Sequence, residues 1–191
     1  MDYGAGNLPS VERALLRLGA DVARCRLSAQ IEHADAVVLP GVGHFGALVR
    51  SLDARGLRAT LADAIGSGVP FLGICLGMQA LYESSDEAPG ELGLGVLSGV
   101  VRSLADAPKL PHMGWNTVSG GGRLLRGVSG AHFYFAHSFA APPDGAAGIC
   151  RYGASFAAVA ERDRVMGVQF HPEKSGAVGA AVLRNFLSVA A

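Results

Sequence analysis

Apolar positions recur along this chain with two different periods, and the period changes partway. Leu8, Val11, Ala14, Leu15 and Leu18 share one face at helical spacing, and Gly19 predicts the stop. The same spacing at Phe45, Leu48, Val49 and Leu52, and again at Leu57, Leu61, Ala64 and Ile65, predicts two more helices. Short apolar runs lie between them. Val22 to Leu27 reads as a short strand. Ala36-Val-Val-Leu39, leading into Pro40-Gly-Val-Gly43, reads as a buried parallel strand entering a glycine turn. Pro70 opens a further strand, Phe71-Leu-Gly-Ile-Cys75, and Leu76 to Ser84 is predicted as the helix behind it. This alternation predicts an open, mostly parallel twisted α/β sheet with helices on both faces, whose ligands bind beyond the carboxyl ends of the strands.

After Pro89 glycines become frequent. Gly99 to Leu104, Phe133 to Phe139, Gly148 to Tyr152, Phe156 to Ala160 and Val165 to Phe170 read as strands, predicting antiparallel additions in the C-terminal half. Asp163 sits in the turn of a hairpin whose second strand leads to His171. Ala177 to Val189 is a closing helix, with Val178, Ala181, Val182 and Phe186 facing inward. With no linker, repeat or low-complexity segment, residues 1–191 are expected to form one domain.

Composition narrows the function classes. The 191 residues are 50% apolar and 17% charged, enough for a covered sheet and against disorder. Sixteen basic and sixteen acidic side chains cancel, without a Lys/Arg run, so neither nucleic acid nor an anionic membrane is an expected partner. Cys25, Cys75 and Cys150 are odd in number and lack CxxC spacing, which predicts free thiols and a cytoplasmic location. No apolar run has the length of a membrane span.

Two stretches carry chemistry. Gly73-Ile-Cys75-Leu-Gly77, between an apolar strand and a helix, is the cysteine counterpart of the G-x-S-x-G elbow, which presents a nucleophile above a sheet end and aims it at a helix N-terminus. Gly167-Val-Gln-Phe-His-Pro-Glu173 then supplies an imidazole to move a proton, with a carboxylate two residues on, on the same side of an extended segment. Cys75, His171 and Glu173 therefore form a candidate triad for acyl transfer. Pro40-Gly-Val-Gly43 is either an ordinary strand-end turn or, through Val42 and Gly43 and with the Leu76 N–H, an oxyanion hole. His137 and His112 are equally core or functional histidines. Trp115 is either core or an interface anchor on an exposed loop. Cys25 and Cys150 are structural. The H-x-E spacing also occurs in zinc deaminases, but Pro-Cys-x-x-Cys is absent, so no metal is expected.

Taken together, these residues resemble the class I, or triad, glutamine amidotransferases. Asp2-Tyr-Gly-Ala-Gly-Asn-Leu8, Leu39-Pro-Gly-Val-Gly43, Pro111-His-Met-Gly-Trp-Asn116, Tyr134-Phe-Ala-His-Ser138 and Gly167-Val-Gln-Phe-His-Pro-Glu-Lys-Ser175 are most similar to the glutaminase subunits of imidazole glycerol phosphate synthase, in histidine biosynthesis. The resemblance implies that Cys75 attacks the side-chain amide of glutamine. It assigns Val42, Gly43 and Leu76 to the oxyanion hole, and Gln79, His137, Ser138 and Phe139 to substrate binding. It also implies no cofactor, and a heterodimer with a (β/α)₈ cyclase subunit that takes the ammonia. Trp115, Tyr134 and Lys174 are expected on that docking face. Other readings are a triad glutaminase for pyridoxal phosphate or anthranilate synthesis, against which the Pro-His-Met-Gly-Trp-Asn segment argues, and a non-catalytic regulatory module. Two departures stand out. Phe139 replaces a usual tyrosine, and the family opens with an apolar strand ahead of Asp-Tyr-Gly. Met1 to Tyr3 is too short to cross a sheet, so several apolar residues are expected upstream of Met1.

Overall fold

The structure, a computed structural model, describes residues 1, 7–31 and 33–190. Among these residues, helices α1 (Leu8–Leu16), α2 (Phe45–Ala54), α3 (Leu57–Gly66), α4 (Leu76–Gln79) and α5 (Gly176–Ala190) accompany eleven strands. These are β1 (Val37–Gly41), β2 (Phe71–Cys75), β3 (Ser84–Ser85), β4 (Val100–Ser103), β5 (His112–Thr117), β6 (Ser119–Gly120), β7 (His132–His137), β8 (Phe139–Ala140), β9 (Gly148–Tyr152), β10 (Ala154–Arg162) and β11 (Val165–Val168).

The main sheet has the order β1-β2-β11-β10-β9-β6. Strands β1, β2 and β11 run parallel, and β10, β9 and β6 extend the sheet antiparallel. Alternation along β2 explains the helices on both faces. Leu72 and Ile74 join Val11 and Leu15 of α1 and Val182, Leu183 and Phe186 of α5 in one core; Phe71 joins Leu48 and Leu52 of α2 and Leu57 and Leu61 of α3 in the other. The Asp163 turn joins β10 to β11 as expected, with Asp163 at φ 52°. Outside the main sheet, β3, β4 and β8 make a small sheet and β5 pairs with β7.

Two predicted elements differ. Val22 to Leu27 is not a strand: a groove of about 860 Å³ separates this segment from β1, and the Val38 carbonyl instead accepts the Met1 ammonium at 2.8 Å. The helix predicted over Leu76 to Ser84 ends at Gln79, because the Ala80 and Leu81 carbonyls that would continue it accept the Leu94 and Leu97 N–H groups. The Asp2–Gly6 segment, and with it the strand expected ahead of it, lies outside the described residues. Among the described residues no helix is long and apolar enough to cross a membrane.

Candidate active site

Cys75 ends β2 and precedes α4 with φ 54° and ψ −109°, a conformation that costs a non-glycine residue about 1–3 kcal/mol and holds only where its surroundings enforce it. The enforcement comes from glycines. A Cβ on Gly73 would strike the Gly77 carbonyl, and one on Gly77 would strike the Leu39 carbonyl of β1. The turn is therefore pressed against the neighbouring strand at a distance only glycine allows, which is why G-x-C-x-G has glycine at both flanks. One expectation changes here. α4 is a single turn of 4 residues, so it adds little summed macrodipole beyond the free N–H groups at its start.

His171 and Glu173 follow β11, and parallel pairing of β11 with β2 brings them beside Cys75. His171 Nδ1 donates to Glu173 Oε1 at 2.9 Å, and both side chains are buried. The His171 ring and the Cys75 side chain line the same cavity, and their interaction favours the charged imidazole. Burial alone disfavours the charged imidazole. The interactions with Cys75 and Glu173, with the charges of those partners, outweigh it and push His171 up to about 9. The imidazole is thus held protonated at neutral pH. Asn7 Nδ2 donates to Glu173 Oε1 at 3.4 Å, while Glu173 Oε2 has no hydrogen-bond partner among the described residues. Ser175 closes the turn: its hydroxyl donates to the His171 carbonyl and accepts the Tyr134 N–H.

A cavity of about 190 Å³ opens over the sulfur, small enough for a single metabolite rather than a drug-sized ligand. It is lined by Val42, Gly43, Cys75, Leu76, Gln79, His137, Ser138, Phe139, His171 and Lys174, so the elbow, the glycine turn and the His-Ser-Phe segment meet around it. Glu87 also lines it and had no sequence signal; its Oε2 accepts the Phe45 N–H at the start of α2. Phe139 contributes through its backbone: its carbonyl accepts Gln79 Nε2 at 2.7 Å and His137 Nδ1 at 2.9 Å, neither of which needs a ring hydroxyl. His112 and His137 are both buried and bonded to each other at 3.1 Å.

Trp115 lies in strand β5 rather than in a loop, directly across from Tyr134 of β7, and is 56% exposed. Met113, two residues back on the same face, is exposed as well. Trp115 and Tyr134 meet edge to face, and Lys174 Nζ stands 5.5 Å from the centre of the Tyr134 ring. The expected docking residues therefore form one apolar and cationic patch beside the cavity that Lys174 also lines. Gln169, like Glu87, is a residue of this site that no sequence motif singled out. Its signal was available: an amide inside Val165-Met-Gly-Val-Gln-Phe170, where a polar side chain among buried apolar ones implies a partner.

Comparison with known proteins agrees with this geometry. The profile of the family "Glutamine amidotransferase class-I" matches residues 1–190. The imidazole glycerol phosphate synthase subunit HisH of Deinococcus radiodurans is 46% identical over 97% of this chain and 90% of its own length. The chloroplastic imidazole glycerol phosphate synthase hisHF of Arabidopsis thaliana is 43% identical over 98% of this chain, which there spans 33% of the longer protein. A crystal structure of a glutamine amidotransferase superimposes with a TM-score of 0.77 at 21% identity, covering 97% of this chain and 94% of the other, which shows the fold. With its elbow cysteine, its His-x-Glu turn and its similarity along nearly the whole chain, this protein belongs to the class-I glutamine amidotransferase family.

Proposed function

We propose that the protein is the glutaminase subunit of an imidazole glycerol phosphate synthase, releasing ammonia from glutamine for histidine biosynthesis. The observation that carries the chemistry is Cys75 on a strained turn, sharing a cavity of about 190 Å³ with an imidazole that Glu173 holds from behind. Near-full-length similarity to HisH subunits supports the pathway.

Cys75 Sγ, as thiolate, attacks the side-chain carbonyl carbon of glutamine. A C–S bond forms and the carbonyl pair moves onto oxygen, which the Val42 to Gly43 turn and the Leu76 N–H stabilise. When the oxyanion collapses, the C–N bond breaks and His171 gives its proton to the departing nitrogen, releasing ammonia. His171, now neutral, takes a proton from water as that water attacks the thioester. The C–S bond then breaks, its electron pair returns to sulfur, and glutamate leaves. Glu173 holds the imidazole throughout. Gln79, Ser138 and Phe139 position the substrate.

Ammonia released into water becomes ammonium and loses its nucleophilic lone pair, so transfer must exclude solvent. The patch of Met113, Trp115, Tyr134 and Lys174 beside the cavity suits a partner surface: a (β/α)₈ cyclase subunit that adds ammonia to an aminoimidazole-bearing phosphoribulosyl substrate. In the Arabidopsis relative, the matched region is part of one longer synthase chain. Mixing this protein with the cyclase subunit and following glutamate release tests the assignment. Release rises severalfold or more when the cyclase and its substrate are added. Equal rates for the free and the assembled protein would refute the coupling.

A further inference from the structure

The pairing of β2 with β11 aligns Ile74 with Val168, so the residues that follow, Cys75 at the end of β2 and Gln169 just past β11, are neighbours at the sheet end. Gln169 is 0% exposed, and a buried amide is tolerated only with partners for its polar atoms. Its two ends are assigned by a backbone atom. The Phe139 carbonyl can only accept, so the group 2.7 Å from it is the Gln79 NH₂. That NH₂ lies 3.1 Å from Gln169, whose facing atom must be Oε1. The other end of Gln169 is then its NH₂, 3.6 Å from Cys75 Sγ. No alternative flip of either amide satisfies the chain.

The rest of the sulfur's surroundings gives this contact its weight. The Ala136 carbonyl, 4.0 Å away, is an acceptor and opposes negative charge on sulfur. The single turn of α4 offers little dipole. Among the described residues, Gln169 is the side chain that donates a hydrogen bond to the sulfur, and His171, across the same cavity, interacts with it as a charged imidazole. His171 surrenders its proton during turnover, whereas an amide N–H does not.

We propose that Gln169 is a positioning residue for the nucleophile: its N–H holds Cys75 Sγ facing the cavity and favours the thiolate over the thiol. The proposal rests on the reading of Cys75 as nucleophile. Its distinct role begins in the thioester, where His171 has given its proton to ammonia and is neutral, and lasts until the C–S bond breaks and the pair returns to sulfur. Gln169 is then the fixed donor that meets the leaving thiolate. Gln79 acts one step further out, because its NH₂ fixes which end of Gln169 faces the sulfur.

The test measures iodoacetamide alkylation of Cys75 against pH, resolved by peptide mass from Cys25 and Cys150, in the full chain and in Gln169→Leu and Gln169→Glu. Loss of one hydrogen bond to a charged group predicts alkylation at pH 7 slowed about tenfold in Gln169→Leu, with its pH profile displaced from that of the wild type. Gln169→Glu keeps the shape and still accepts from Gln79, but sets a carboxylate against the sulfur; it slows alkylation further. Glutaminase kcat falls in both, with KM for glutamine changed less than about threefold. A wild-type alkylation profile in either folded variant overturns the proposal, even if melting temperature or KM has changed, because packing alone does not move that profile. Should Gln169→Leu fail to fold, Gln169→Glu decides alone. Failure of the nucleophile reading itself is distinguishable: Cys75→Ala would then retain glutaminase activity.

Discussion

His112 donates from Nδ1 to His137 Nε2 across 3.1 Å, and the direction of that bond follows from its ends. His137 Nδ1 faces the Phe139 carbonyl and must carry hydrogen, leaving Nε2 as acceptor. His112 Nε2 in turn accepts from Asn116 Nδ2 at 3.3 Å. Each ring is satisfied only when neutral, since a second proton on His137 would face an N–H. Burial pushes His137 down to about 3, opposed by the Phe139 carbonyl bond and aided by the nearby His112 and His171 charges; burial also pushes His112 down to about 4.

Stability should therefore peak near neutral pH. His112 and His137 accept protons near pH 6.5 when unfolded and only near 4 and 3 when folded, so stability falls as pH drops below about 6.5. His171 works in the opposite sense: its raised value contributes stability that is complete below about 6.5 and lost as pH rises through about 9. Urea denaturation across pH 4 to 10 checks both limbs. His171→Asn should remove the alkaline decline, and a flat profile in the wild type would contradict the assigned protonation states.

Cys75→Ala should lower glutamine hydrolysis by about 10⁴-fold or more, by analogy with triad knockouts. The assembled synthase should still form product from added ammonium salts, because the partner consumes ammonia whatever its source. Assays with glutamine and with ammonium chloride separate the two activities, and loss of both would count against the division of labour.

The rate should also fall on the alkaline side. His171 must be protonated to deliver a proton to the departing ammonia, so kcat/KM for glutamine declines above about pH 9. A pH–rate profile of the complex that stays flat to pH 10 would exclude imidazolium as the acid.

Gly77→Ala should destabilise the fold by more than about 3 kcal/mol, since its Cβ meets the Leu39 backbone rather than a movable side chain. Gly66, at the end of α3, has open space where a Cβ would go and no positive φ. Gly66→Ala should be neutral or stabilising by up to about 1 kcal/mol. Melting temperatures of the pair measure whether crowding at the elbow, and not glycine loss in general, is responsible.

Trp115→Ala should leave the melting temperature of the isolated chain nearly unchanged, because the side chain is largely exposed. Association with the cyclase subunit should weaken by tenfold or more, as expected for an aromatic anchor. Titration calorimetry reads the affinity; an unfolded monomer would instead make Trp115 a core residue.

The sequence by itself determined the features that depend on neighbours along the chain. An apolar run followed by Gly-Ile-Cys-Leu-Gly makes a strand turning sharply into a helix, and His-Pro-Glu on an extended segment sets a carboxylate beside an imidazole. The faces of α1, α2, α3 and α5 were legible because 3.6-residue periodicity is local. Only the tertiary structure decided the rest. Val22 to Leu27 has strand composition but no strand beside it among the described residues, and pairing is a property of two segments. The helix after Cys75 stops early because carbonyls that would continue it are taken by N–H groups from Leu94 and Leu97. Trp115, Tyr134 and Lys174 meet through the register of β5 with β7 and the packing of the turn after β11. Gln169 reaches the Cys75 sulfur through parallel pairing between strands far apart in sequence. Such contacts follow from closing long loops around a shared core, and no local pattern of residues encodes which distant groups that closure brings together.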